Sequence, residues 1–569
     1  MRARLLAVAW LSVAAVPGAA QVPAGLPLKY SGPATMPAIT PGDLMTRIYL
    51  FADDSLMGRR VGTEYNARGA AYIEQEVRRL GLQPAGENGG YYQDLPLGAR
   101  ILDSSSTLDV GGRALRAGRD FVATTDGALT PRGPMAVVFG GMAFDTLNLP
   151  PVSAWRGRLV LVTAFQPPPG FSAEAFLGSA GYRRYVELAG AATMVSVVGD
   201  SLPGSVISRS MAGEGADLLS DQPGSLSLVV TRQAAETMLG RALATAPRGA
   251  AGRRVTPAIR FREVRRGQGR NVVAILPGSD PGLRGQYLAI GAHNDHIGFT
   301  RNPVDHDSIL VYGRLVRVQG ADSPARTPDA GELAALRRML DSIRLLRPAR
   351  LDSIRNGADD DASGSMGLLE IAEAFTHAPQ KPRRSILFVW HSGEESGMWG
   401  SEHFTDHPTV PRDSIVAQLN IDMIGRGGPG DITGSAKGGG LLHGDDRYLQ
   451  VLGSRRLSTE LGDLIDEVNG VRPLSFRLDY AMDANGHPQN IYCRSDHYSY
   501  ARYGIPIAFF TTGGHADYHQ VTDEPQYIRY EHAAEVARFI SEVARRVADL
   551  DHRPVLDHPV PNRALGCWQ

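Results

Sequence analysis

Residues 385–397 read SILFVWHSGEESG, an apolar run of strand type that ends in a glycine and then presents two adjacent carboxylates, Glu394 and Glu395. Successive residues on a strand point to opposite faces, so neighbouring acids converge on one site only after the chain has turned. Gly393 permits that turn. An isolated pair of acids after a strand is ordinarily a solvated loop, but this pair has company. Upstream stand His293 and Asp295 in AIGAHNDHIGF (289–299) and Asp359, Asp360 and Asp361 in NGADDDASG (356–364); downstream stand Asp422 in LNIDMIG (419–425) and His519 in DYHQVTDEP (517–525). Each follows, or lies close to, an apolar run. Side chains delivered from the ends of several strands describe a site at the carboxyl edge of one α/β sheet.

The chain of 569 residues is long enough for two or three domains. Lys+Arg 59 against Asp+Glu 60 leaves a net charge of -1, which gives no electrostatic reason to expect nucleic acid or an anionic membrane as partner. A hydrophobic content of 43% supplies a large core. The first twenty residues, MRARLLAVAWLSVAAVPGAA, set Arg2 and Arg4 before an apolar stretch from Leu5 to Val16 and small residues at Gly18, Ala19 and Ala20. This pattern predicts a signal peptide (1–20) and export to the periplasm or the medium. The apolar stretch falls short of the roughly 20 residues that span a bilayer, so no membrane anchor is expected. Cys493 and Cys567 can form one bridge, which sequence alone does not establish.

The remaining chain divides by texture. Residues 21–106 predict a helical part, with an amphipathic helix in GDLMTRIYLFAD (42–53) and a second helix from Tyr65 to Leu80 capped by Gly81. Residues 107–265 break into short strands: GPMAVVFGG (133–141), GRLVLVTAF (157–165), ATMVSVVGD (192–200) and LSLVVTRQAAETML (226–239), with a helical YRRYVELAGA (182–191) between them. Residues 266–550 form the catalytic unit. It opens with NVVAILPGS (271–279) and QYLAIGAH (286–293), which are expected to pair as a hairpin. Residues 300–356 are an insertion with a short strand in SILVYGRLVRV (308–318) and a charged helix over 330–346; VDHDSIL (304–310) and LDSIRNG (351–357) resemble each other, as if material had been added beside an older loop. The insertion is expected to act as structural filling, or as a flap or dimer contact at the mouth of the site. Residues 551–569 form a tail.

Imidazole and carboxylate donors without thiolate suit zinc or a similar divalent ion in a catalytic setting. Two histidines and several carboxylates, one of them bridging, can hold two ions about 3.5 to 4 Å apart, while one further carboxylate stays free to take a proton. Capping of the helix that begins near Ser363 accounts for one aspartate of the DDD run, not for three.

The set GAHNDH, GADDDASG, HSGEESG, NIDMIG and YHQVTDE, in this order, closely resembles the co-catalytic di-zinc exopeptidase family of secreted bacterial aminopeptidases, which also contains glutamate carboxypeptidases. The 107–265 unit resembles the protease-associated domain inserted in several exopeptidase families. The resemblance implies a mixed central β-sheet sandwiched by helices, two Zn2+ ions and peptide substrates. It implies His293 and Asp422 on one ion, Glu395 and His519 on the other, Asp360 as the bridge and Asp295 as the acid that orients His293. Glu394 would be the general base for a zinc-bridging water, and Tyr518, or alternatively Tyr492, the donor to the oxyanion. His296, His391, His497 and His515 are expected to be structural. Asn294 departs from the apolar residue usual at its position, and the insertion is longer than is usual.

Aminopeptidase action is the favoured activity. A carboxypeptidase would need a cation for the terminal carboxylate, for which Arg494 or Arg426 could serve. A single-zinc glutaminyl cyclase and a non-catalytic binding protein on the same scaffold are further alternatives, and the complete ligand set argues against both.

Overall fold

The computed structural model describes residues 26–125, 127–129, 133–142, 154–163, 193–471, 475–562, 567 and 569. The signal segment 1–20 and the helix expected over 182–191 lie outside the described residues.

The central element is a nine-stranded mixed sheet. Seven of its strands are β1 (Arg270–Leu276), β2 (Tyr287–His293), β3 (Ser385–His391), β4 (Ile415–Ile421), β5 (Tyr448–Leu452), β6 (Arg477–Asp479) and β7 (Ile507–Thr511). Their order is β1-β3-β2-β4-β7-β5-β6, and Gln83–Pro84 and Tyr92–Asp94 both pair with β1 at the edge. Strands β3, β2, β4 and β7 run parallel to one another, so their carboxyl ends emerge on one side. β3, β4 and β7 are buried throughout, as their unbroken apolar runs require when helices cover both faces.

The expected hairpin of 271–279 and 286–293 does not form. β3 inserts between β1 and β2, antiparallel to the first and parallel to the second. A short Gly/Pro connection suggests a hairpin, but the register of an α/β sheet is settled by which apolar strand packs best at its centre, and that strand arrives almost a hundred residues later.

Helix α1 (Pro41–Phe51) is capped by the Thr40 hydroxyl, and α2 (Glu64–Arg79) by that of Thr63. Gly81 terminates α2 at φ +70, with Gly81 N–H bonded to the Arg78 carbonyl and Leu82 N–H to that of Val77. Within the insertion, 308–318 is not a strand. Its first part lies in α3 (His306–Leu315), which packs against α4 (Ala330–Leu346). Leu310 and Val311 are buried on one face of α3, a spacing that a run of β-branched residues conceals. The two similar stretches meet only at their starts: Val304 and Asp305 pair with Asp352 and Leu351 where Phe299–Asp305 runs antiparallel to Leu351–Ile354, and the rest of 304–310 lies in α3.

α5 (Gly364–His377) and α6 (Tyr530–Asp549) complete the layer that covers the sheet. Arg47 of α1, almost wholly buried, ties this layer together through Glu76 of α2 at 2.7 Å and Glu370 and Glu373 of α5 at 2.7 and 2.6 Å. Ser363 precedes α5 without capping it; its hydroxyl donates to Asp359 instead. Among the described residues, the strands between Thr107 and Ala258 other than Asp217–Leu218 form a separate eight-stranded sheet with its own apolar core. Cys493 and Cys567 are disulfide-bonded. No helix of the described residues is long and apolar enough to cross a membrane.

His497 stacks on Phe509 with ring centroids 4.7 Å apart, and its Nε2–H donates to the Tyr492 carbonyl at 2.7 Å. Burial pushes its pKa down from 6.5 to about 3. The fold therefore holds this ring neutral, so its contribution to stability is complete above pH 6.5 and is lost as the pH falls towards 3. Denaturant unfolding of the wild type and His497→Gln across this range is expected to show the flatter pH dependence in the variant.

Candidate metal centre

The expected residues arrive from five places at the carboxyl edge of the sheet. β2 ends at His293, β3 runs on through Gly393 into Glu394 and Glu395, and Asp422 follows β4. His519 lies in the turn after β7, at φ 59. Asp360 sits in the loop that leads into α5, and the Asp360–Asp361 peptide is cis.

Asp360 stands at the centre of this group. Its Oδ1 is 3.2 Å from His293 Nε2, and its Oδ2 is 3.0 Å from His519 Nε2. His293 Nε2 lies 3.6 Å from Asp422 Oδ1 and 4.0 Å from Glu394 Oε2. His519 Nε2 lies 2.9 Å from Glu395 Oε2. The donors fall into two clusters, His293–Asp360–Asp422 and His296–Asp360–Glu395–His519, which share Asp360. His293 Nε2, His519 Nε2, Asp360 Oδ2 and Glu395 Oε1 are buried without a hydrogen-bond partner among the described residues. Buried polar atoms are rarely left unpaired, and nitrogen and carboxylate donors aimed into a common space fit divalent cations.

The electrostatics separate the two glutamates. Burial pushes the Glu394 carboxyl well above the usual range; His293 pulls it down, and Asp422 and Glu395 add to the rise. Burial and Asp360 likewise oppose charge on Glu395, yet His519 and His296 outweigh them and hold it down to about 2. Adjacent acids thus have opposite proton affinities, the pattern of one acid that binds and one that exchanges a proton.

The DDD run has three distinct positions. Asp359 Oδ1 accepts from Gly425 N–H at 2.6 Å and from the Ser363 hydroxyl at 2.8 Å, and its Oδ2 lies 3.2 Å from His515 Nε2. Asp361 accepts from three backbone N–H groups, Gly364 at 2.9 Å, His293 at 3.0 Å and Met423 at 3.1 Å, and so fastens α5 to the ends of β2 and β4. Of the three, only Asp360 faces both His293 and His519.

Asp295 lies close to His293, but the nearer partner of His293 Nδ1 is the Asp295 backbone carbonyl at 3.2 Å, with the carboxylate at 3.7 Å. The carboxylate accepts from Gly393 and Glu394 N–H at 2.7 and 3.1 Å, so it holds the turn that aims Glu394. Tyr518 borders the pocket beside Asp422. Tyr492 does not: its ring is buried below the Arg456 guanidinium and against Tyr498.

His391 and His515 face Asp496 and Asp359, and His497 the Tyr492 carbonyl. His296 differs. Its Nδ1 lies 2.6 Å from Glu395 Oε1, a placement that the H-x-x-H spacing with His293 could have signalled. Three other supports carried no signal in the sequence. Asp523 accepts from Asp359 and Asp360 N–H at 3.0 and 3.1 Å. The Ser495 hydroxyl donates to Asp422 at 2.8 Å. Arg59, fully buried, donates to the Asn356 and Gly357 carbonyls at 2.6 and 2.9 Å. A further cluster, His306–Asp352–Glu524, is an ion-pair network, since Arg350 lies 2.6 Å from Glu524.

Comparison with known proteins bears on this arrangement. Residues 271–544 match the model of Peptidase family M28. That stretch is an M28 peptidase domain. The chain is 37% identical over 89 residues to leupeptin-inactivating enzyme 1 of Streptomyces exfoliatus, covering 15% of this chain and 20% of that protein. It is 29% identical over 216 residues to leucine aminopeptidase 1 of Aspergillus oryzae, covering 37% and 50%. It therefore spans half or less of the length of these curated relatives. Among solved structures, the aminopeptidase from Aneurinibacillus sp. strain AM-1 aligns over 92% of this chain and 98% of its own at 17% identity and a TM-score of 0.42.

Within the M28 domain, Asp361 supplies a structural test. Asp361→Asn keeps the shape of the side chain but turns an amide NH2 towards backbone N–H groups. Leaving one of these donors unpaired costs about 1–3 kcal/mol. Unfolding in denaturant is expected to register that loss.

Proposed function

We propose that the protein is an exported zinc aminopeptidase that removes amino-terminal residues from peptides. The observation that carries this is the sharing of Asp360 between two donor clusters, with Glu394 beside the first and its proton affinity raised. Catalytic zinc sites keep three protein ligands and one open position. His293, Asp360 and Asp422 would hold one ion, and Asp360, Glu395 and His519 the other, with His296 steadying Glu395. Two such ions would lower the pKa of water and polarise the scissile carbonyl.

The chain's own groups do the rest. Asp295 fixes the turn so that the Glu394 carboxylate faces the reacting centre. Glu394 accepts a proton from the attacking water and returns it to the leaving amine, a task suited to a carboxyl whose affinity for protons is raised. The Tyr518 hydroxyl, at the rim of the same pocket, donates to the oxygen on which negative charge develops. The free α-amine of the substrate lies against the acidic rim formed by Glu395 and Asp422.

The amino-terminal direction is favoured by the state of the arginines. Arg494 makes a two-pronged ion pair with Asp322 at 2.9 and 3.0 Å, and Arg426 is bound to Asp517 at 2.7 Å and Asp431 at 3.3 Å. Both cations that a terminal carboxylate would need are already engaged by acids. The pattern of residues 1–20 supports export.

Two outcomes are expected. Zinc-loaded protein given a peptide set with free and acetylated amino termini should shorten only the free ones, as read by mass spectrometry; loss from the carboxyl end irrespective of acetylation would overturn the assignment. Glu394→Gln should retain two zinc ions per chain by elemental analysis while kcat falls by about 10²–10⁴.

A further inference from the structure

A pocket of about 90 Å³ opens beside Asp422 and Tyr518, with Met423, Met482, Ile491 and Phe509 in its wall. Two segments meet over it. Gln319 and Asp322 reach it from the 299–354 insertion, and Gln489 from the loop that precedes Ile491. Most of its polar lining is internally satisfied. Gln450 Nε2 donates to the Thr433 carbonyl at 2.9 Å and the Tyr448 hydroxyl at 2.7 Å, and the Thr511 hydroxyl donates to the Met423 carbonyl at 3.2 Å. Gln319 Nε2 donates to the Ser435 hydroxyl, and Gln319 Oε1 accepts from Gln489 Nε2, each at 3.3 Å. Gln489 Oε1 is the exception. It is shut off from solvent and, among the described residues, has no hydrogen-bond partner.

A polar atom left unpaired at the wall of a substrate pocket is costly in the free protein and is repaid when a ligand supplies the missing bond. We propose that the Gln319–Gln489 pair is a specificity element: the pocket takes an amino-terminal side chain with an unbranched carbon stem and an uncharged hydrogen-bonding end, glutamine in particular, over the apolar methionine of similar length. The stem packs on Met423, Ile491 and Phe509, and the carboxamide, which both donates and accepts, inserts into the long 3.3 Å Gln319–Gln489 contact and so reaches Gln489 Oε1, which is closed off until that contact opens. The small volume disfavours aromatic residues, since an enclosed apolar cavity that admits benzene measures roughly 150 Å³. Charge is not selected, because Asp322 and Arg494 neutralise each other at the same wall. The insertion thereby acquires a role: it brings Gln319 and Asp322 to the pocket.

This proposal rests on the aminopeptidase assignment, and the test separates the two. The measurement is kcat/KM of the zinc-loaded protein for Gln-, Met- and Phe-headed dipeptides, read as release of the second residue, in wild type, Gln489→Met and Gln319→Leu. The wild type should favour Gln over Met and be poorest on Phe. Gln489→Met should lower the Gln/Met ratio about tenfold while keeping turnover of the Met substrate, which shows that the variant is folded, and Gln319→Leu should move the ratio in the same direction. A wild type that favours Met, or a ratio that Gln489→Met leaves unchanged, overturns the specificity proposal while the aminopeptidase assignment stands. Release from no free amino terminus overturns that assignment, and the specificity proposal falls with it.

Discussion

The constraint on which the structure depends is the confinement of many carboxylates in one dry volume. Asp295, Asp359, Asp360, Asp361, Asp422 and Asp523 are buried in the same region, with the half-buried Glu395 at its border, and there like charges repel strongly and water screens them poorly. The fold meets this in three ways. Backbone N–H groups go to Asp361, Asp295 and Asp523; rings of His293, His296, His515 and His519 stand between the acids; and Arg59 lies near them, bonded to carbonyls and with no carboxylate partner among the described residues. Burial drags the Arg59 pKa down to about 10, while Asp295, Asp523, Asp360 and Asp361 act in the opposite sense. What remains uncompensated is the face of Asp360 and its neighbours that cations would complete.

This explains a division that sequence reading could not draw. The residues that form the two donor clusters were legible because acid and imidazole types recur at strand ends, a pattern visible without coordinates. The residues that make the arrangement tolerable were not. Asp361 and Asp523 look the same in one letter as Asp360, and their roles depend on backbone groups more than sixty residues away. Arg59 lies in GRRVGT (58–63), where the glycines mark a loop and nothing signals burial, yet its side chain donates to the carbonyls of Asn356 and Gly357. The contact of His296 with Glu395 is hard to read for a related reason: a lone histidine is ordinarily structural, and only the turn at 293–296 brings the two together.

The fold was legible where local pattern and global packing agree. The uninterrupted apolar runs became the central strands, and the helix over 330–346 has the expected bounds. The expected strand at 308–318 and the expected hairpin failed for opposite reasons. In the first, β-branched residues overrode a helical spacing that packing against α4 rewards. In the second, a short connection suggested local pairing, while the better-packed partner lay far along the chain.

The insertion leaves the M28 domain just after His296 and returns just before Asp359, through the paired strands Phe299–Asp305 and Leu351–Ile354. Its exit and entry are thus pinned side by side, and Glu524 grips the stem through His306 and Arg350. Material beyond such a stem can change length at small cost, since doubling a flexible loop adds only about 0.6 kcal/mol of closure entropy. The stem is therefore a natural splice point. Related chains could exchange the whole cassette beyond it, and with it the outer wall of the pocket, while the residues that gather around Asp360 stay in register.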